Sequence, residues 1–124
     1  IRFAAWARCA MQPKHQSRRF KSRDARQFQI CADSYTWDAA KTYCSGLGSG
    51  WRLPGLKELL TLVDPTRAST SSIDPVAFPN TPALFFLTAS PFAGSSGSAW
   101  HVSFLSGSSG PNFVGNTDRV RCVR

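Results

Sequence analysis

The sequence predicts one small α+β domain, and three observations support this class. Two segments with helical apolar spacing lie between residues 36 and 64, and segments that alternate like strands follow after residue 98. Helices that precede strands, rather than alternating with them, are typical of α+β architectures. A length of 124 residues fits one domain, and a hydrophobic content of 42% is enough to build a core. We place this domain at residues 35–124 and treat residues 1–34 as a basic N-terminal segment whose structure the sequence does not define.

The basic residues are concentrated in the N-terminal segment. Residues 1–30 carry eight Lys and Arg against one acidic residue, a net charge of +7, whereas the rest of the chain carries seven against six, a net charge of +1. Such a segment indicates attraction to polyanions, and a solvated arm without a ligand is the alternative. The binding candidates in this segment are Lys14, Arg18, Arg19, Lys21, Arg23 and Arg26.

The four cysteines indicate disulfides and export. Cys9, Cys31, Cys44 and Cys122 are widely spaced and contain no C-x-x-C pair, which disfavours a zinc ribbon or a thioredoxin-like redox site. Two disulfides account for an even set of this kind, and spacing alone leaves three pairings open. Disulfides persist in oxidising compartments, so we expect a secreted, periplasmic or cell-surface protein.

The first helix is expected to begin after Thr36, because a threonine hydroxyl is a common N-cap. Its apolar positions include Trp37, Ala40 and Cys44, which recur at helical spacing. A glycine just past the end of a helix favours termination, so residues 46–48 should close it.

The second helix is expected to begin after Gly55. Glu58 lies three residues on, where its carboxylate can accept a hydrogen bond from the Gly55 N–H. Pro65 should end the helix. The apolar face is formed by Leu56, Leu59, Leu60 and Val63. Just before this helix, we expect Arg52 to have a structural role, satisfying a carboxylate or carbonyls at the helix start.

A long loop and short strands are expected to complete the domain. Residues 66–82 lack periodicity and should form a loop held by Ile73 and Phe78, whereas residues 99–105 alternate as a strand does. The side chains expected to be buried together are Trp37, Trp51, Leu53, Leu59, Leu60, Phe78, Trp100, Val102 and Phe104.

The C-terminal residues 119–124 also alternate. A strand here would place Arg119 and Arg121 on one face about 7 Å apart, a spacing that suits successive anionic groups. These two arginines are therefore further candidates for polyanion binding. An edge strand that its charges protect from pairing is the alternative interpretation.

Catalysis, metals and nucleic acid are all disfavoured. His15 and His101 have no carboxylate or nucleophile close in sequence, so we expect no enzyme and no cofactor. The seven acidic residues are dispersed and the Glu-Pro-Asn and Gln-Pro-Asp triplets of calcium-dependent lectins are absent, so no metal is expected. No nucleic-acid-binding motif accompanies the basic segment. No apolar stretch approaches the roughly 18 residues of a membrane span.

Several motifs in a fixed order resemble one family. They are the segments at residues 36–44, 50–54, 56–64, 78–82, 99–104 and 119–124. Together they resemble the bacterial DUF1566 family, also called the Lcl C-terminal domain, over about residues 35–124. The resemblance implies an exported domain with a C-type-lectin-like fold, related to that of formylglycine-generating enzymes. In the best-known relative, an adhesin with a collagen-like stalk, this domain is a trimeric binder of sulfated glycosaminoglycans.

The resemblance also bears on the disulfides and the function. It implies a structural bridge between Cys44 and Cys122, and we predict the pairing Cys9–Cys31 beside it. We expect a secreted or surface-displayed adhesin-type module that binds acidic or sulfated polysaccharide without metal, possible partners being further copies in a trimer or larger homo-oligomer. The alternative is a structural subunit of an extracellular assembly or filament.

Overall fold

The structure is a computed structural model, and it describes residues 6–9, 28–29, 33–67, 71–78 and 81–124. Six of the predicted polyanion-binding residues lie outside these ranges: Lys14, Arg18, Arg19, Lys21, Arg23 and Arg26. The predicted Cys9–Cys31 pairing lies outside them as well, because Cys31 is not among the described residues.

Two helices and two small sheets make up the described part of the chain. In chain order the elements are β1 (Arg8–Cys9), β2 (Phe28–Gln29), α1 (Trp37–Ser45), α2 (Leu56–Leu60), β3 (Phe85–Pro91), β4 (Ser98–Ser103) and β5 (Ser109–Phe113). β1 and β2 pair in parallel, whereas β3, β4 and β5 form an antiparallel sheet in that order. The α+β class predicted from the sequence is confirmed.

Helix α1 begins and ends where the sequence predicts. Thr36 is its N-cap, and the Thr36 carbonyl accepts the first helical hydrogen bond, from the Ala40 N–H. The expected capping bond from the threonine hydroxyl is not formed. Gly46 is the C-cap, and its N–H donates to the Thr42 carbonyl. The helix buries Ala40 and Cys44 completely, as their spacing of four residues predicts.

Helix α2 is shorter than the sequence predicts. Its start is confirmed, because Glu58 Oε1 accepts a hydrogen bond from the Gly55 N–H at 2.9 Å. Beyond Leu60 the chain continues as a turn in which each N–H donates to the carbonyl three residues back, including the bond from Val63 to Leu60. The last turn thus has the tighter 3₁₀ bonding that is common at helix ends, which is why the expected helix stops early.

The antiparallel sheet separates two apolar clusters, because successive side chains on a strand point to opposite faces. On one face, Phe86 of β3 lies opposite Val102 of β4 in the register. Both belong to the α2-side core, which is completed by Leu59, Ile73 and Phe104. Phe86 and Phe104 meet edge to face, with ring centroids 5.1 Å apart. Ile73 holds the long loop as predicted, since its side chain is only 1% exposed.

The other face of the sheet carries the α1-side core. Leu87, the next residue on β3, packs here with buried residues from the helix, the segment before α2 and both ends of the chain. The buried members are Ala7, Ala40, Cys44, Trp51, Leu53, Leu87, Val120 and Cys122. The single core expected from the sequence is therefore two cores with a sheet between them.

The predicted Cys44–Cys122 disulfide is confirmed. It joins α1 to the C-terminal segment over a sequence separation of 78 residues, with Cα atoms 5.4 Å apart. Both cysteines are completely buried in the α1-side core. The bridge therefore fixes the C-terminal segment against the helix from inside the domain.

The C-terminal residues form isolated bridges instead of the predicted regular strand. Val123 pairs with both Arg52 and Trp6, and Arg119 pairs with Phe86. The Ala7 N–H donates to the Cys122 carbonyl at 2.9 Å. The C-terminal segment is thus held by three different parts of the chain, one of them close to the N-terminus.

Four of the nine predicted core side chains are only half-buried. These are Trp37, Leu60, Phe78 and Trp100. Trp100 lies on the same face as Val102, as expected, but beyond the part of that face that the α2-side core covers. It packs instead edge to face against Phe92, with centroids 5.0 Å apart. The sequence also missed Phe86, which is completely buried at the centre of the sheet.

β5 lies at the outer side of the antiparallel sheet within the described residues. The Ser103 N–H donates to the Ser108 carbonyl and the Val114 N–H donates to the Gly97 carbonyl. Because hydrogen-bonded and non-bonded pairs alternate in an antiparallel ladder, Pro111, opposite Trp100, takes a non-bonded position. Its backbone therefore faces away from β4, and proline has no N–H to donate there.

No helix in the described part of the chain is long and apolar enough to span a membrane.

Candidate functional site

Arg121, a predicted polyanion-binding residue, lies inside the domain and not on its surface. Its side chain is completely buried. Its guanidinium donates to the Ala7 carbonyl at 2.7 Å and to the Thr81 hydroxyl, and it lies over the Phe78 ring, 5.1 Å from the centroid. Burial lowers the pKa of Arg121 to about 10. The expectation of an accessible Arg119–Arg121 pair is therefore wrong, because the Arg121 side chain is turned inward, towards Phe78 and Thr81.

Arg119, its predicted partner, is half-buried at the edge of β3. Its backbone N–H donates to the Phe85 carbonyl, and its own carbonyl accepts from the Leu87 N–H. These bonds cover the side of β3 that does not face β4. The side-chain Nε is buried and has no hydrogen-bond partner among the described residues. Arg119 thus extends the sheet through its backbone, which neither interpretation of the sequence anticipated.

The structural role predicted for Arg52 is confirmed. Its two terminal nitrogens bond the two carboxylate oxygens of Glu58, at 2.6 and 2.8 Å. Because Glu58 also accepts the Gly55 N–H, one carboxylate joins the helix start to the segment before it. The hydrogen bond from Arg52 is the main cause that lowers the pKa of Glu58. This pair belongs to the fold and offers no free cation for a ligand.

The remaining cations of the described domain are scattered. Lys41 pairs with Asp38 at 3.2 Å and lies over the Trp37 ring, whereas Arg124 lies over the Trp51 ring. Of the other two, Lys57 is exposed, and the Arg67 side chain donates to the Ser71 carbonyl at 3.1 Å.

A polar network that the sequence analysis did not anticipate lies on the α1-side face of the sheet. His101 Nδ1 is 2.9 Å from Asp118 Oδ2, and Asn112 donates to the same oxygen at 2.8 Å. The Asn116 side-chain amide in turn donates to Asn112 Oδ1 at 3.0 Å. We call these four residues the His101 network. The His101 and Asp118 side chains are only 14% and 12% exposed, so the centre of the network is well shielded.

The His101 network depends on strand pairing and so is invisible to local sequence reasoning. Asp118 lies 17 residues after His101 and is brought back by the β4–β5 hairpin and the turn that follows it. Asn112 is on β5 opposite Ala99, a neighbour two positions from His101. The sequence does contain one signal for this contact. The Gly-Ser turn at residues 106–109 indicates a hairpin, and the register of that hairpin places Asn112 near His101.

An aromatic ring extends the network to β3. Phe85 stacks on the His101 imidazole, with centroids 4.2 Å apart and an angle of 13° between the planes. Its side chain is 44% exposed, whereas the three residues that follow it on β3 are buried. The site therefore combines an accessible apolar ring with fixed hydrogen-bonding groups. Among the described residues, no group of three or more His, Cys, Asp or Glu could hold a metal ion.

Comparison with known proteins identifies a family. No curated protein matches the chain. The model of the Lcl C-terminal domain matches residues 4–124. The match thus begins well before residue 35, in agreement with the packing of Ala7 in the α1-side core and the bridge from Trp6 to Val123. On this match over nearly its whole length, the chain belongs to the Lcl C-terminal domain family.

Proposed function

We propose that this chain is an exported, adhesin-type module that binds acidic or sulfated polysaccharide through Lys and Arg without a metal. The observation that carries the proposal is the net charge of +7 on residues 1–30, against +1 for the rest of the chain. Charge concentrated on one segment raises the local potential and attracts polyanions. The family resemblance supports the same ligand class and a C-type-lectin-like fold.

The attachment of the N-terminal segment supports this location of the site. All six cationic candidates fall between β1 and β2 in the sequence, and these two strands pair with each other. On either side, the Ala7 N–H bonds the Cys122 carbonyl and the Tyr35 N–H bonds the Asp118 carbonyl. The described residues on both sides of the basic stretch are thus hydrogen-bonded to one C-terminal segment, residues 118–122.

A second candidate function, a structural subunit of an extracellular assembly, is supported by exposed apolar side chains. Val76 is 88% exposed, Phe113 60% and Leu105 55%. Side chains of this type can pack against further copies of the chain or another subunit. In this case the positive charge would only balance contacts within the assembly.

Heparin chromatography with charge-reversed variants tests the proposal. The triple change Arg18→Glu, Arg19→Glu and Lys21→Glu should abolish retention, and it should leave the melting temperature nearly unchanged if these charges are exposed. In the unmodified protein, retention should fall steeply with salt, as expected for the release of counterions.

The matched control changes three cations of the described domain: Lys41→Glu, Lys57→Glu and Arg124→Glu. It alters the net charge by the same amount and should retain most of the heparin binding. Equal loss in both variants would show that only total charge matters and would contradict a site in the N-terminal segment. Early elution of the unmodified protein, together with concentration-dependent polymers in light scattering, would favour the assembly subunit.

A further inference from the structure

Phe85 is unusual among the residues of β3. The side chains of Phe86, Leu87 and Thr88 are at most 2% exposed, but Phe85 at the start of the strand is 44% exposed. One face of its ring is covered by the parallel imidazole of His101. An aromatic ring that is supported on one face and accessible elsewhere offers a flat apolar surface whose orientation is already fixed.

The His101 network holds that surface in place. The imidazole cannot rotate freely, because its Nδ1 is bonded to Asp118 and Asp118 is bonded to Asn112 as well. The Asp118 backbone is itself fixed by reciprocal hydrogen bonds with Tyr35, at 2.8 and 3.0 Å. Strands β3, β4 and β5 and the turn after β5 thus hold four connected planar side chains: Phe85, His101, Asn112 and Asp118. Groups fixed before binding lose little entropy when a ligand arrives.

The geometry points to a binding site for a single saccharide ring on Phe85 and the His101 network. A pyranose ring has a face of C–H groups that packs on an aromatic ring, and hydroxyls at its edge that both donate and accept hydrogen bonds. Phe85 provides the apolar contact. The imidazole of His101 lies against that ring, and the network continues through Asp118 and Asn112 to Asn116, which is exposed and can donate and accept hydrogen bonds. This mixture of one apolar surface and a few oriented polar groups is typical of small-ligand sites.

The charges of the network favour a hydroxyl-rich ring over an anionic group. Its only carboxylate is that of Asp118, and no Lys or Arg is bonded to the four residues among the described contacts. The inference rests on the proposed function, because both concern the same polysaccharide. The N-terminal segment would attract the anionic groups of the polysaccharide, and the Phe85 site would select its sugar rings. The two contributions can be separated because a polyanion without sugar rings can use only the first.

The experiment compares two exposed phenylalanines with two probes. Phe113 is a matched control, because it is more exposed than Phe85 but lies on the opposite face of the sheet, where Gly97 and Gly115 are its close neighbours. The probes are a heparin oligosaccharide and inorganic polyphosphate of matched charge, titrated by calorimetry. Phe85→Ala should weaken heparin binding about three- to tenfold, as expected for the loss of one aromatic contact, and leave polyphosphate binding unchanged. Phe113→Ala should change neither.

The inference is overturned if Phe85→Ala weakens both probes equally or weakens neither, or if Phe113→Ala has the same effect on heparin. If the protein binds neither probe, the proposed function is wrong. The saccharide site is then tested separately, by NMR titration of the unmodified chain. Uncharged disaccharides, namely cellobiose, maltose and diacetylchitobiose, should then shift the side-chain amide signals of Asn112 and Asn116. No shift with any of them would refute the site. The same titration decides the matter if Phe85→Ala does not fold.

Discussion

Removal of the Cys44–Cys122 disulfide is expected to cost a large part of the stability of this domain. The bridge closes a loop with a sequence separation of 78 residues. In the chain-entropy model a loop of that length destabilises the unfolded state by about 4 to 5 kcal/mol. A domain of this size has a free energy of unfolding of roughly 6 to 18 kcal/mol, so the double variant Cys44→Ala, Cys122→Ala should remain folded only with a small margin.

The loss in free energy of unfolding can be measured by urea unfolding under non-reducing conditions, monitored by tryptophan fluorescence. In thermal unfolding of the same variant, the melting temperature should fall by about 15 to 20 °C, given an unfolding entropy of about 2.1 cal/mol/K per residue. Because both cysteines are completely buried, the variant also loses packing, which adds to the entropic cost. Reduced but otherwise unmodified protein keeps that packing and provides the control. A difference below about 1 kcal/mol between oxidised and reduced protein would refute the reasoning from loop closure.

Two further changes test the packing and the electrostatics. Trp100→Ala should cost only about 1 to 2 kcal/mol, because Trp100 is half-buried against Phe92, whereas Phe86→Ala should cost about 3 to 5 kcal/mol; equal losses in chemical denaturation would contradict the difference in burial between these two side chains. The pKa of Glu58 is lowered in the folded protein, so its stabilisation is complete above the unfolded-state pKa of about 4.3 and is lost as the pH falls through the lower folded value. Glu58→Gln should therefore cost about 0.5 to 1 kcal/mol at neutral pH and nothing at the acid end, measured as melting temperature against pH; a loss that is independent of pH would exclude the ion pair with Arg52 as its cause.

Local features of the fold could be predicted from the sequence because they depend on residues a few positions apart. The caps of both helices are set by Thr36, Gly46 and Gly55, each within one turn of its partner. Arg52 and Glu58 are six residues apart and meet across the start of one short helix. In each case the spacing alone limits which groups can meet.

The features that were missed depend on contacts between distant parts of the chain. Alternation predicted a strand at residues 119–124, where the chain forms isolated bridges instead, and only the packing of Phe78 and Ala7 around Arg121 shows that this side chain lies inside. The pairing of His101 with Asp118 likewise needs the strand register. The disulfide was predicted through the family resemblance, since the positions of the four cysteines alone left three pairings open.

Pro111 has a consequence for how this protein avoids aggregation. Exposed strand edges act as templates on which further chains can add, and the last strand of an antiparallel sheet is the usual point of attack. β5 is that strand among the described residues, and at the middle of its outward-facing edge the backbone donor is missing. An incoming strand would lose a ladder hydrogen bond at the position where pairing should be strongest. Growth of a continuous intermolecular sheet from β5 is therefore opposed.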